Sequence, residues 1–179
     1  MHKQGHFGLG LLSTSVLALL LLEGGFTLWA PFVGLAGIAG GLIPDIDNKP
    51  VVPFQHHGWT HTVVFGVFAS IFVAGSLFAV FHAAITVTSG TSFAVAEPSL
   101  LGNLALTILL YMAAFAGFLS HLFGDTLSTA GGTLLIRPWK PISENHVRIG
   151  VTTAGNPVYN LGFFVAGAFS HLLPYYVYL

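Results

Sequence analysis

Hydrophobic residues run along this chain in long unbroken blocks rather than alternating with polar ones, at about residues 7–22, 26–43, 62–87, 99–120 and 158–178. Roughly 20 consecutive apolar residues span the hydrocarbon core of a bilayer, and each block approaches or exceeds that length. The pattern predicts an all-α, polytopic integral membrane protein with about five transmembrane or re-entrant helices, forming a single membrane domain over residues 1–179. The first two blocks are short and Gly-rich and meet at Gly24-Gly25, so they fit a tilted or incomplete pair as well as two full spans. Lys3 before an apolar run raises the alternative of a cleaved leader, but no small-residue cleavage site follows and Glu23 leads into more apolar sequence, so the first helix is expected to stay.

Composition agrees: 54% of the residues are hydrophobic and 6% charged, against about 25% charged in soluble domains. If all five blocks cross, Lys3, Lys49, Arg137, Lys140 and Arg148 fall on one side and only Glu23 and Glu97 on the other. The positive-inside rule then places the N-terminus and two polar loops, 44–58 and 131–157, in the cytoplasm of a cell whose inner membrane holds the protein. The second loop contains β-rich stretches at 133–136 and 147–153 that fit a small hairpin or an interfacial segment. No basic patch suited to nucleic acid is present, and the absence of cysteine excludes thiol catalysis, disulfides and Cys-type zinc sites. A Gly-rich face from Gly34 to Gly41 fits either a neighbouring helix or another subunit of an oligomer.

The groups able to bind a metal or move a proton gather on the same predicted side: His2, His6, Asp45, Asp47, His56, His57, His61, His121, Asp125 and His146. In Leu42-Ile43-Pro44-Asp45-Ile46-Asp47 two carboxylates lie two residues apart, facing one way if the segment is extended. In Gln55-His56-His57-Gly58-Trp59-Thr60-His61-Thr62 three imidazoles fall within six residues, and on a helix His57 and His61 would share a face. Ser120-His121-Leu122-Phe123-Gly124-Asp125 closes an apolar run with an imidazole and a carboxylate one helical turn apart. Ionisable groups at the end of a membrane helix are expensive and read as functional, and imidazole with carboxylate suits zinc or manganese. His82 and His171 sit far along their helices, about 30 Å and 20 Å from the predicted site at 1.5 Å per residue, and read as packing residues.

Gly5-His6, Leu42 to Asp47, His56 to Thr62, and the run from Gly117 to Gly132 followed by Pro138 occur in that order, and with them the chain resembles the YdjM-like family of membrane-bound metal-dependent hydrolases. That family is in turn similar to the zinc-dependent phospholipase C and nuclease group. The resemblance implies a metal set drawn from His6, Asp45, Asp47, His56, His61, His121 and Asp125, holding a divalent ion, zinc first and manganese second. It also implies hydrolysis of a phosphoester or lipid headgroup at the bilayer surface. Asp45 or Asp47 is then the expected general base, and His57 or Arg137 the group steadying an anionic substrate. Two positions depart from the family pattern: His57 stands where an Arg is usual, and Gly155-Asn156-Pro157-Val158-Tyr159-Asn160 has no acid where a Gly-Ser-x-x-Glu-like stretch is expected. The rival class is non-enzymatic, a metal-stabilised membrane scaffold or an ion-binding transporter. Transporters place their sites at the midplane between repeats, and neither feature is visible here.

Overall fold

The computed structural model describes residues 1–48, 57–89, 91, 98–128, 139–140 and 149–178. Among these residues five helices make up the framework: α1 (Lys3–Glu23), α2 (Trp29–Leu42), α3 (Val63–Thr88), α4 (Leu100–Leu127) and α5 (Pro157–Tyr178). Single turns of 3-10 helix at Pro44–Asn48 and Trp59–His61 frame the connection from α2 to α3. The predicted all-helical class holds, and α1, α3 and α4 are long and apolar enough to cross a membrane. α2 has 14 residues, about 21 Å at 1.5 Å per residue, so of the two N-terminal blocks it is the second that falls short of a full span. The β-rich stretch 133–136 and residues 147–148 lie outside the described residues; in the described part, a parallel bridge between Ser128 and Thr152 ties the end of α4 to the segment before α5.

Helix starts are set by short polar side chains. Thr62 Oγ1 accepts the amide of Phe65 at the head of α3, and Ser99 Oγ accepts that of Gly102 at the head of α4, both at 3.1 Å. At the head of α5, Asn156 Oδ1 accepts the amide of Val158 at 3.0 Å, and Pro157 occupies the first helical position, where no donor is needed. At the opposite end of the molecule the Tyr178 hydroxyl donates to Glu23 Oε1 at 2.7 Å, joining the ends of α5 and α1.

The helices pack through backbone rather than large side chains, as expected where lipid is as apolar as the interface and close approach supplies the attraction. A Cβ at Gly37 of α2 would stand 2.5 Å from Gly10 O of α1 and 2.6 Å from Thr14 Cγ2. A Cβ at Gly117 of α4 would collide with Gly37 O, one at Gly40 with Ala114 O, and one at Gly167 of α5 with Gly8 O. The Gly34–Gly41 face is therefore filled from within the chain, by α1, α4 and α5, which decides between the two partners that its sequence allowed. Leu106, Leu110, Ala113 and Ala114 of α4 complete this core with Val33 and Ala36 of α2 and Ala18 of α1.

The two outlying histidines also find packing roles. His82 pairs with Asn103 Oδ1 at 3.0 Å between α3 and α4, and His171 of α5 lies against the glycine gap at Gly34. A substitution pair tests the packing account. Gly37→Leu should destabilise the detergent-solubilised protein by about 1–3 kcal/mol or prevent its folding, because backbone on the facing helix cannot move aside. Gly75→Ala, with nothing within 4 Å of the added methyl, should leave the thermal unfolding midpoint unchanged or slightly raised.

Candidate metal centre

Four segments deliver donor groups to one end of the bundle. His6 comes from the first turns of α1, Asp45 and Asp47 from the 3-10 turn that ends α2, His57 and His61 from the approach to α3, and His121 and Asp125 from the last turns of α4. Pro44 opens the turn after α2, so the two carboxylates are not extended and do not face one way. Asp45 turns toward His121, with Oδ1 4.0 Å from Nε2, whereas Asp47 turns toward His61. His57 and His61 are not on a common helix either: His57 has φ 61°, in the left-handed region, and His61 ends the turn that follows. Both nevertheless reach Asp125, His57 Nε2 at 3.6 Å and His61 Nε2 at 3.8 Å from Oδ2. A left-handed non-glycine residue costs roughly 1–2 kcal/mol, and such strain concentrates at functional sites.

The second nitrogen of each ring fixes what the first can do. His121 Nδ1 lies 2.7 Å from the Gly41 carbonyl, which can only accept, so Nδ1 carries the proton and a neutral His121 turns a lone pair outward at Nε2. The Thr60 hydroxyl donates its single proton to Asp47 Oδ2 and can then only accept from His61 Nδ1, 3.0 Å away. His61 Nε2 is thereby also a lone-pair donor. The two Nε2 atoms stand 3.3 Å apart, and Asp125 Oδ2 lies 3.3 Å from that of His121. Two lone pairs and a carboxylate oxygen aimed at one another repel unless a cation lies among them.

Burial sharpens the requirement. His6, His61, His121 and Asp125 are at most 2% exposed, and neither ring nitrogen of His6 nor Asp125 Oδ2 has a hydrogen-bond partner among the described residues. An unpaired buried polar group costs about 1–3 kcal/mol, and more if charged. His6 stacks on His121 with ring centroids 3.7 Å apart and holds Nε2 3.3 Å from Asp125 Oδ1, the oxygen that also meets the Met1 amino nitrogen at 2.6 Å.

Three overlapping triplets keep their donor atoms within 4.8 Å of one another: His6, His121 and Asp125; Asp45, His61 and His121; and His57, His61 and Asp125. Zinc bonds of 2.0–2.1 Å at tetrahedral angles imply edges of roughly 3.3–3.4 Å between ligand atoms, which the shortest separations here match. The set of imidazole and carboxylate donors fits zinc or manganese.

Of the residues expected from sequence, the structure brings together His6, Asp45, His57, His61, His121 and Asp125. Asp47 belongs to none of the triplets; it stands behind His61, Oδ2 3.2 Å from Nδ1, in the carboxylate–histidine arrangement that orients a metal ligand. His57, expected to meet substrate, lies in one of the triplets, beside His61 and Asp125. His56, Arg137 and His146 lie outside the described residues.

Three contributors carried no advance signal: Thr60, the Gly41 carbonyl and Asn160. Asn160 occupies the stretch that lacks the expected acid. Its Oδ1 accepts the His2 amide at 2.9 Å while its Nδ2 donates to Ala154 O and Asn156 O, which pins the chain entering α1 to the head of α5. A polar residue at the head of an apolar helix was the one available clue.

A helical membrane bundle with buried His/Asp groups suited to a metal ion at one end is the class that fold and site define. The family model described as YdjM inner membrane protein matches residues 1–178, and the chain belongs to that family. No curated protein and no solved structure matches it.

Asp47→Asn should lower metal affinity about 10–100-fold with helical content unchanged, measured by competition with a chromophoric chelator. His57→Gly should also weaken binding while holding or raising the unfolding temperature, since glycine accepts the left-handed backbone. Burial lowers the pKa of His61 from its ordinary 6.5, against the opposing pull of its hydrogen bond with Asp47. The unfolded chain therefore takes up this proton first: the ring's contribution to stability is complete above about pH 6.5 and is lost as pH falls below it. In chelator-treated samples, acidification from about pH 7.5 to 5.5 should lower the unfolding midpoint of the wild type more than that of His61→Gln.

Proposed function

We propose that the protein is a membrane-embedded, metal-dependent hydrolase whose centre faces the cytoplasm and whose substrate is a phosphoester or the phosphate-bearing headgroup of a lipid. The observation that carries this reading is the pair of facing Nε2 lone pairs on His61 and His121, each held in that tautomer by a fixed partner, beside the unpartnered Asp125 Oδ2. The orientation rests on the five basic residues assigned to the side that bears the site.

When bound, a divalent cation supplies water of lowered pKa and offsets the charge that develops on the phosphoryl oxygens. His6, His61, His121 and Asp125 hold it in a dry setting, where electrostatic interactions are strong. Asp45 and His57 form the wetter rim, their side chains 11% and 17% exposed against 3% for Asp125. Asp45 is placed to take a proton of the attacking water as the water oxygen bonds to phosphorus, while the ester bond breaks and the leaving alkoxide takes a proton from solvent water at the exposed rim and departs as the alcohol. Asp47 and Thr60 keep the His61 ring from turning.

Elemental analysis of detergent-purified protein tests the centre directly. Wild type should carry near-stoichiometric zinc or manganese, which His121→Ala and Asp125→Ala should lose while remaining folded. Metal-replete wild type should hydrolyse bis-p-nitrophenyl phosphate, and Asp45→Asn, with His6, His61, His121 and Asp125 still in place to hold the ion, should keep its metal while kcat falls about 10²–10⁴-fold. Metal retained without hydrolysis of any substrate class would identify a scaffold; protein that stays metal-free after reconstitution would end the hydrolase reading.

A further inference from the structure

A cavity of about 400 Å³ opens at the start of α1, bordered by Met1, His2, Lys3, Gln4 and Asp45. Of the cavities described here it is the one whose lining includes a residue of the donor triplets: Asp45, whose Oδ1 lies 4.0 Å from His121 Nε2. The pockets of about 320–530 Å³ on α5 and between α3 and α4 are lined almost wholly by apolar side chains.

Lys3 makes no ion pair with any described residue, although an exposed ammonium at a membrane surface readily finds a carboxylate or a phosphate. The backbone that carries it does not wander. The His2 amide is held by Asn160 Oδ1 at 2.9 Å, and Asn160 is itself fixed by two carbonyls at the head of α5. The lining thus combines Lys3 and His2, carried on an anchored stretch of backbone, with Asp45, a member of one donor triplet. Arg137 lies outside the described residues, and the Met1 amino group in the same lining is engaged by Asp125 Oδ1, so Lys3 is the cation of that lining placed to meet an anion approaching Asp45.

We infer that this cavity is the anion subsite of the centre, where Lys3 and His2 hold the phosphate group of the substrate against the metal bound beside Asp45. The inference rests on the metal-centre reading, because a carboxylate repels an approaching anion and a divalent cation bound beside it offsets that repulsion. The volume lies in the range of small-molecule sites and admits a phosphate with a short alcohol, not a whole lipid. A lipid substrate would insert its headgroup alone, its chains remaining in the bilayer alongside α1.

The test separates the two readings because metal content and anion binding are measured independently. Manganese-loaded wild type, Lys3→Gln and Lys3→Arg in nanodiscs are titrated with inorganic phosphate, and paramagnetic broadening of the ³¹P resonance reports proximity to the metal. Equal manganese in all three, with phosphate bound about five-fold more weakly by Lys3→Gln and restored by Lys3→Arg, is the expected result. Equal manganese with equal phosphate binding by wild type and Lys3→Gln overturns the subsite and leaves the centre standing; failure of wild type to load manganese overturns both. Competition then identifies the source of the phosphate. Displacement by phosphatidic acid in the disc assigns a lipid headgroup, displacement by glycerol 3-phosphate alone assigns a soluble ester, and displacement by neither overturns the inference.

Discussion

Contact between helix backbones at Gly10, Gly37 and Gly117 is the constraint on which the rest of this structure depends. α2 lies between α1 and α4 with no side chain to hold them off, so His6 from one and His121 from the other can stack at 3.7 Å between ring centroids. The same proximity puts the Gly41 carbonyl within 2.7 Å of His121 Nδ1. A methyl group at any of these crossings would push against backbone, and the donor triplets of the centre would open by distances that coordination does not tolerate. Packing and chemistry are therefore one problem here: the small residues that bring the helices together also fix the spacing of the ligands.

That closeness has an electrostatic price. Six side chains with lone pairs or negative charge meet at the end of an apolar bundle, where water is scarce and each unsatisfied group is expensive. The chain meets part of the demand itself. Thr60 and Asp47 serve the far nitrogen of His61, Gly41 serves that of His121, and the Met1 amino group meets Asp125 Oδ1. What is left over, His6 and Asp125 Oδ2 together with the outward Nε2 atoms, points inward to a common space. A cation is the economical solution, and the strained backbone at His57 indicates that the fold maintains this arrangement against its local preference.

The centre also has a sidedness. His6, His61, His121 and Asp125 form the buried part, while Asp45 and His57 stand nearer to solvent. Asp45 belongs both to a donor triplet and to the wall of the cavity that begins with Met1, so one carboxylate joins the ligand set to the space a substrate would use. Asn160 stands where an acid was expected and contributes no charge; it organises the chain that leads to Lys3. Its hydrogen bonds hold backbone in place.

The amino-acid sequence by itself determined the class of the protein, the order of its described helices, and the end of the bundle at which its donor groups gather. Those follow from the length of apolar blocks and the placement of charge, which act locally and leave a mark at each position. His121 and Asp125 were readable as a pair because four residues on a helix bring two side chains to one face. The tertiary structure alone turned Asp47 toward His61 Nδ1 and Asp45 toward His121 Nε2, since both lie in one short motif and only a 3-10 turn separates their directions. It alone placed His57 with Asp125 through a left-handed backbone that no histidine signals, and it alone recruited Gly41 and Thr60, whose roles are hydrogen bonds made across the bundle. Local patterns record what a residue does within its own helix; which nitrogen of a ring is left facing a cation is settled by partners up to 80 positions away.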